Sequence, residues 1–145
     1  MKIVIGSDHA GFELKEAVKT KLEGEGYEVL DVGTYSAESV DYPKFGHAVG
    51  KAVASGEADR GIAICGTGIG ISIAANKVPG IRAGVCHNEW TAEMTKAHND
   101  ANVLCFGARV VDQDTAFAMV DKWLGTEFMG DKHLRRINEI EDLDF

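Results

Sequence analysis

Residues 61–76 read GIAICGTGIGISIAAN: a short apolar run ending in a cysteine, three alternate glycines, then small residues from Ser72 to Asn76. Gly61–Cys65 has the length and apolar content of a buried strand, and the segment after the glycines continues as a helix. The same strand, turn and helix unit recurs on both sides. Towards the amino terminus, Lys2–Ser7 reads as a strand, and Phe12, Leu14, Ala17, Val18 and Leu22 follow at helical spacing until Gly24 and Gly26 stop them. Tyr27–Val32 is a second strand, and a polar loop over 33–42 leads through Pro43 into a helix ending near Ser55 and Gly56. Towards the carboxyl terminus, Ile81–Cys86 and Asn102–Phe106 are strands, while Asn88–Ala97 and Asp112–Leu124 are helices.

Strands this apolar, separated this regularly by helices, imply a parallel sheet covered on both faces. The expected fold is α/β: a Rossmann-like three-layer sandwich with a five-stranded parallel sheet. At 145 residues the chain has the size of one domain. The charged stretch 131–145 is expected to be a helical extension outside the core.

Composition narrows the function. With 45% hydrophobic and 26% charged residues and two prolines, the chain is globular in composition. No apolar run approaches the roughly 20 residues needed to cross a bilayer, and the start, MKIVIGSDHAGFELK, meets charge too early for a signal peptide. A cytoplasmic protein without a membrane partner is expected. Cys65, Cys86 and Cys105 are odd in number and lack CxxC spacing, so they are read as reduced thiols. A formal charge of -8 argues against nucleic acid as a partner, because counterion release requires a basic surface.

In open α/β sheets ligands bind beyond the carboxyl ends of the strands. Those ends carry Ser7-Asp8-His9, Cys65 with its glycine turn, His87-Asn88, and Gly107-Ala108-Arg109. Glycines at 66, 68 and 70 allow amide groups to converge at a helix start, where the dipole favours an anion or a developing oxyanion. Cys65 at the mouth of that turn is placed to act as a thiolate. The plainer alternative is a small core residue beside a tight turn, and that reading is preferred for Cys86 and Cys105.

Other chemistries fit poorly. A dinucleotide fingerprint would need glycine at position 71, which is Ile71, and no Walker lysine follows the turn. A receiver-type phosphorylation site would need an aspartate where Cys65 stands. Asp8, His9, Cys65 and His87 could meet as zinc ligands, although no HxxxH or HExxH spacing is present; no metal or other cofactor is assigned. His98 would by itself be a surface or helix-capping residue, and His47 and His133 are read as solvated. Arg109 follows the fifth strand, and Lys132 and Arg136 share a helix face at a spacing suited to a phosphate.

Together SDHAGFELK at 7–15, ESVDYPKFG at 38–46, CGTGIGISIAANKVPGIRA at 65–83, HNDANVL at 98–104 and the basic tail at 132–136 resemble the type B ribose-5-phosphate isomerases and the related galactose-6-phosphate isomerases. The resemblance implies a metal-free aldose–ketose isomerase working through an enediolate. Cys65 would move a proton from C2 to C1, Thr67 would assist proton movement between the oxygens, and His98 would open the furanose ring. The amides of Gly66, Thr67, Gly68, Ile69 and Gly70 would hold the oxyanion. Asp8, His9 and Asn99 would hold hydroxyls or orient the ring, with Tyr42 packed beside it, and Arg109, Lys132 and Arg136 would grip the phosphate.

The resemblance further implies a homodimer or dimer of dimers with sites between subunits, His98, Asn99 and Arg109 crossing to the partner. Position 132 is lysine where the ribose-phosphate enzymes usually carry arginine, which keeps the charge and loses the planar grip. Ribose 5-phosphate is the expected substrate. The alternatives are another sugar phosphate, such as allose or galactose 6-phosphate, and a noncatalytic phosphosugar-binding module.

Overall fold

The computed structural model describes residues 1–145. In chain order the elements are β1 (Lys2–Ser7), α1 (Phe12–Gly24), β2 (Glu28–Asp31), α2 (Pro43–Ala54), β3 (Arg60–Cys65), α3 (Ile69–Asn76), β4 (Ala83–Val85), α4 (Glu89–Ala97), β5 (Val103–Gly107), α5 (Gln113–Gly125) and α6 (Lys132–Glu141). The five strands form one sheet in the order β2-β1-β3-β5-β4, and every pairing is parallel.

Alternation along the central strands sorts the core into two layers. Ile3, Ile5, Ile62, Ile64, Leu104 and Phe106 pack with Val18 and Leu22 of α1, Ala92 of α4, and Met119, Val120 and Trp123 of α5. Val4, Ala63, Cys65, Val103 and Cys105 face the other way, against Phe45, Val49 and Ala52 of α2 and Ile71 and Ala75 of α3. The three-layer α/β sandwich expected from the sequence is what forms. The second face is closely approached: a Cβ on Gly61 would stand 2.6 Å from Val49 Cγ1, so α2 needs glycine there to reach the sheet.

Two elements differ from the sequence reading. The fourth strand is only Ala83–Val85 and half-buried, because it lies at the sheet edge with β5 as its sole neighbour. There the Asn76 side chain takes the place of a further strand, accepting from Ala83 N (2.8 Å) and donating to Ala83 O (2.9 Å). The third helix starts earlier than Ser72: it begins at Ile69, directly after Gly68, whose φ of +81° makes the left-handed turn.

Candidate active site

Reversal of strand order between β1 and β3 opens a crevice at their carboxyl ends, the position where ligands bind in such sheets. Backbone bonds lock the turns that meet there. Asp8 N donates to Ile64 O (3.2 Å), Ala108 N to Cys65 O (2.9 Å) and Arg109 N to Gly66 O (3.0 Å). The ends of β1, β3 and β5 are therefore one rigid rim.

Cys65 is the last residue of β3 and 4% exposed. It lies against the apolar α2/α3 layer, yet its Sγ accepts the Gly68 amide at 3.2 Å. That amide belongs to the turn that starts α3, so the sulfur looks into the positive end of a helix dipole. Thr67 is exposed, and its Oγ1 accepts from Ile69 N (3.2 Å). Cys86 and Cys105 are different: burial pushes the Cys86 thiol up to about 11 and the Cys105 thiol higher still, so both remain neutral thiols.

The surrounding candidates assemble on the same rim. A Cβ on Gly70 would stand 2.6 Å from Tyr42 Cζ, so the Tyr42 ring lies over the glycine turn. Asp8 is buried, with Oδ1 taken by the Gly11 amide (3.1 Å). His9 Nδ1 lies against the Val40 backbone, 3.1 Å from its amide nitrogen and 3.2 Å from its carbonyl oxygen, and Nε2 has no partner within the chain. Arg109 also lies here, its Nη1 3.1 Å from where a Cβ of Gly66 would be. Within the chain its guanidinium lies over the glycine turn.

A second group gathers at the opposite end of the strands. His98 is the C-cap of α4, and Asn99 and Asp100 accept Arg82 Nε (2.9 Å) and Nη2 (3.0 Å) through their carbonyls, just before β4 and β5 begin. Lys132 and Arg136 are exposed on α6, whose preceding Met129 amide donates to Ala97 O (2.9 Å). At roughly 3.3 Å per residue, the strands separate the two groups by more than about 15 Å. One chain therefore carries Cys65, Thr67, Asp8, His9, Tyr42 and Arg109 at one end, and His98, Asn99, Lys132 and Arg136 at the other.

Two sequence readings change. His87 and Asn88 do not join the crevice, because β5 lies between β3 and β4 and holds them roughly 10 Å away at about 4.8 Å per strand. Asn88 instead caps α4 reciprocally with Thr91, and Asp8, His9, Cys65 and His87 do not gather as a ligand set. His133, read as solvated, is 7% exposed and stacks on His98 with ring centroids 4.1 Å apart and planes 8° from parallel. Its partner in burial is Ile137, four residues on, a spacing that marked the inward face of α6.

Comparison with known proteins agrees with the fold. Residues 3–140 match the ribose/galactose isomerase family. The chain is 50% identical to the ribose-5-phosphate isomerase B of Escherichia coli over 143 residues, covering 99% of this chain and 96% of that one. Its fold superposes with a TM-score of 0.98 on the ribose-5-phosphate isomerase B of Clostridium thermocellum, at 58% identity over 99% of this chain and 97% of the other. For the ribose 5-phosphate isomerase of Thermotoga maritima the TM-score is 0.94 and the identity 51%, covering 97% of each chain. With a matched segment running nearly end to end and a cysteine set into a glycine turn at the sheet crevice, the chain belongs to the ribose/galactose isomerase family.

Proposed function

We propose that the chain interconverts ribose 5-phosphate and ribulose 5-phosphate, with Cys65 as the base. The observation that carries this reading is the Cys65 sulfur facing the Gly68 amide at the start of α3. In the open-chain aldose the C2 hydrogen is acidified by the neighbouring carbonyl. Cys65 removes it, negative charge grows on O1, and the amides of Gly66, Thr67, Gly68, Ile69 and Gly70 meet that charge as a preorganised oxyanion hole. Thr67 relays the proton between O2 and O1, and Cys65 returns its proton to C1. Asp8, His9 and Asn99 hold hydroxyls, and Tyr42 walls the turn. No metal or cofactor is required in this scheme.

His98 opens the furanose, and Arg109, Lys132 and Arg136 hold the phosphate. Because these groups occur at both ends of one chain, a complete site is formed between two copies in a homodimer, or a dimer of dimers, with one end of each sheet facing the other. The enzyme works in the cytoplasm, a reading supported by its three unpaired thiols; no helix is long and apolar enough to cross a membrane.

Turnover of ribose 5-phosphate by wild type and Cys65→Ala, with substrate binding followed in parallel, tests the assignment. Loss of turnover with retained binding is expected, and equal turnover by both proteins defeats it. Lys132 bears on sugar length, so kcat/KM across pentose and hexose phosphates decides between ribose 5-phosphate and a six-carbon substrate.

A further inference from the structure

The feature that this mechanism leaves unused is the His98–His133 stack. His98 closes α4 with its own amide donating to Met94 O (2.9 Å), and the protein offers its imidazole no hydrogen-bond partner. The ring is instead held by its face. His133 lies flat against it from the first turn of α6, 7% exposed, on the buried side of the helix that it shares with Ile137. The Met129 to Ala97 backbone bond ties the approach to α6 onto the residue before His98, so the two rings are joined by main chain as well as by contact.

We propose that His133 is a positioning residue for ring opening: its stacked imidazole holds the His98 ring in the orientation from which it exchanges protons with a cyclic sugar phosphate. This rests on the reading of His98 as the ring-opening group. In that step the C1–O4 bond of the furanose breaks, O4 takes a proton, and the anomeric hydroxyl gives one up to leave the C1 carbonyl. Both exchanges need an imidazole edge within hydrogen-bond reach of the sugar, which a ring free to turn about its side-chain torsions does not maintain. Face-to-face packing restricts those torsions and leaves the nitrogens at the edge free.

The charges around the pair suit this arrangement. Lys132, Arg136 and Asp131 flank His133 on α6, Lys96 pairs with Asp100 beside His98, and Arg82 bridges the Asp100 region to Glu141. Loss of solvation, followed by the fields of His98, Lys132 and Arg136, holds the His133 imidazolium below its ordinary range. His133 is therefore neutral near neutral pH and adds no positive charge to the face it presents to His98. The helix that supplies the proposed phosphate grip also orients the ring-opening group.

The test separates ring opening from proton transfer at carbon. Ribose 5-phosphate is a furanose and must be opened. Ribulose 5-phosphate has no free hydroxyl placed to close a five-membered ring, so uptake of solvent deuterium at its C1 reports the Cys65 step alone. His133→Ala is expected to lower kcat on ribose 5-phosphate by about tenfold or more while changing the C1 exchange rate by less than about twofold. His133→Phe, which restores an aromatic face, is expected to recover most of that loss. The proposal is overturned if His133→Ala converts ribose 5-phosphate normally, if it slows both reactions equally, or if His133→Phe is as poor as His133→Ala. Wild type and His98→Asn serve as references. Failure of wild type in both reactions removes the isomerase reading and this one together, and a fully active His98→Asn removes the ring-opening assignment. An impaired His98→Asn beside an unimpaired His133→Ala removes the role of His133 alone.

Discussion

Lys15 Nζ lies 2.6 Å from Asp31 Oδ2, with the lysine side chain entirely shielded from solvent. Asp31 sits at the end of β2 and uses its other oxygen to accept the Gly33 amide (2.9 Å), while its carbonyl accepts the Tyr35 hydroxyl (3.0 Å). The pair thus fixes the turn from which the 33–42 loop runs to Val40, whose backbone lies against His9 Nδ1. Burial by itself would raise the Asp31 pKa. The Lys15 hydrogen bond, the Gly33 amide and the charge of Lys15, with a further hydrogen bond from Lys19, outweigh it and hold the carboxyl below its usual range.

Replacing Lys15 by Met leaves Asp31 in a largely buried place with only Lys19 nearby at 3.3 Å. Loss of about 3 kcal/mol of unfolding free energy is expected in urea titrations, and the Lys15→Met/Asp31→Leu double variant is expected to recover part of it. The stabilising contribution of Asp31 is present above the pKa of the unfolded carboxylate and is lost as pH falls through the lower folded value. Asp31→Asn is accordingly expected to flatten the acid limb of the stability profile.

Gly68 must remain glycine for two separate reasons. Its φ is +81°, and a Cβ there would stand 2.6 Å from the Phe106 carbonyl carbon, which belongs to the β5 backbone and has little room to move. Gly68→Ala is expected to cost at least about 1–3 kcal/mol from the backbone conformation alone, and to displace the amide that faces Cys65. Thermal unfolding and turnover should fall together. Gly24→Ala, at the end of α1 with open space around it, is the matched control and should leave both unchanged.

With Cys65 and His98 at opposite ends of the strands, the proposed dimer predicts complementation between two inactive proteins. When Cys65→Ala and His98→Asn are mixed, refolded together and assayed, half of the dimers carry one intact site, so about a quarter of wild-type activity is expected from random pairing. No recovery at all would mean that both residues serve the same chain's site.

The depressed pKa of His133 gives the molecule a second pH dependence. A histidine that binds its proton less readily in the folded state contributes stability above its unfolded value of 6.5, and that stability is lost as pH falls through the folded value. Chemical denaturation of wild type should therefore show stability falling as pH drops below about 6.5, and His133→Gln should remove that part of the slope.

What the order of residues determined by itself was local. Alternating apolar runs and helical spacings need only neighbours a few positions apart, so the five strands, the parallel sandwich and the glycine turn after Cys65 were legible without coordinates. Rules of ligand placement in such sheets then pointed to Asp8, His9 and Arg109. The tertiary structure decided the rest, because it depends on partners distant in sequence. Placement of β5 between β3 and β4 removes His87 from the crevice. Docking of α6 onto the end of α4 turns His133 inward against His98, and the return of helices from one end of the strands to the other sets His98 and Cys65 apart. Periodicity records which face of an element is buried, but not which strand or helix comes to cover it, and it is that long-range packing which divides the candidate site into two halves.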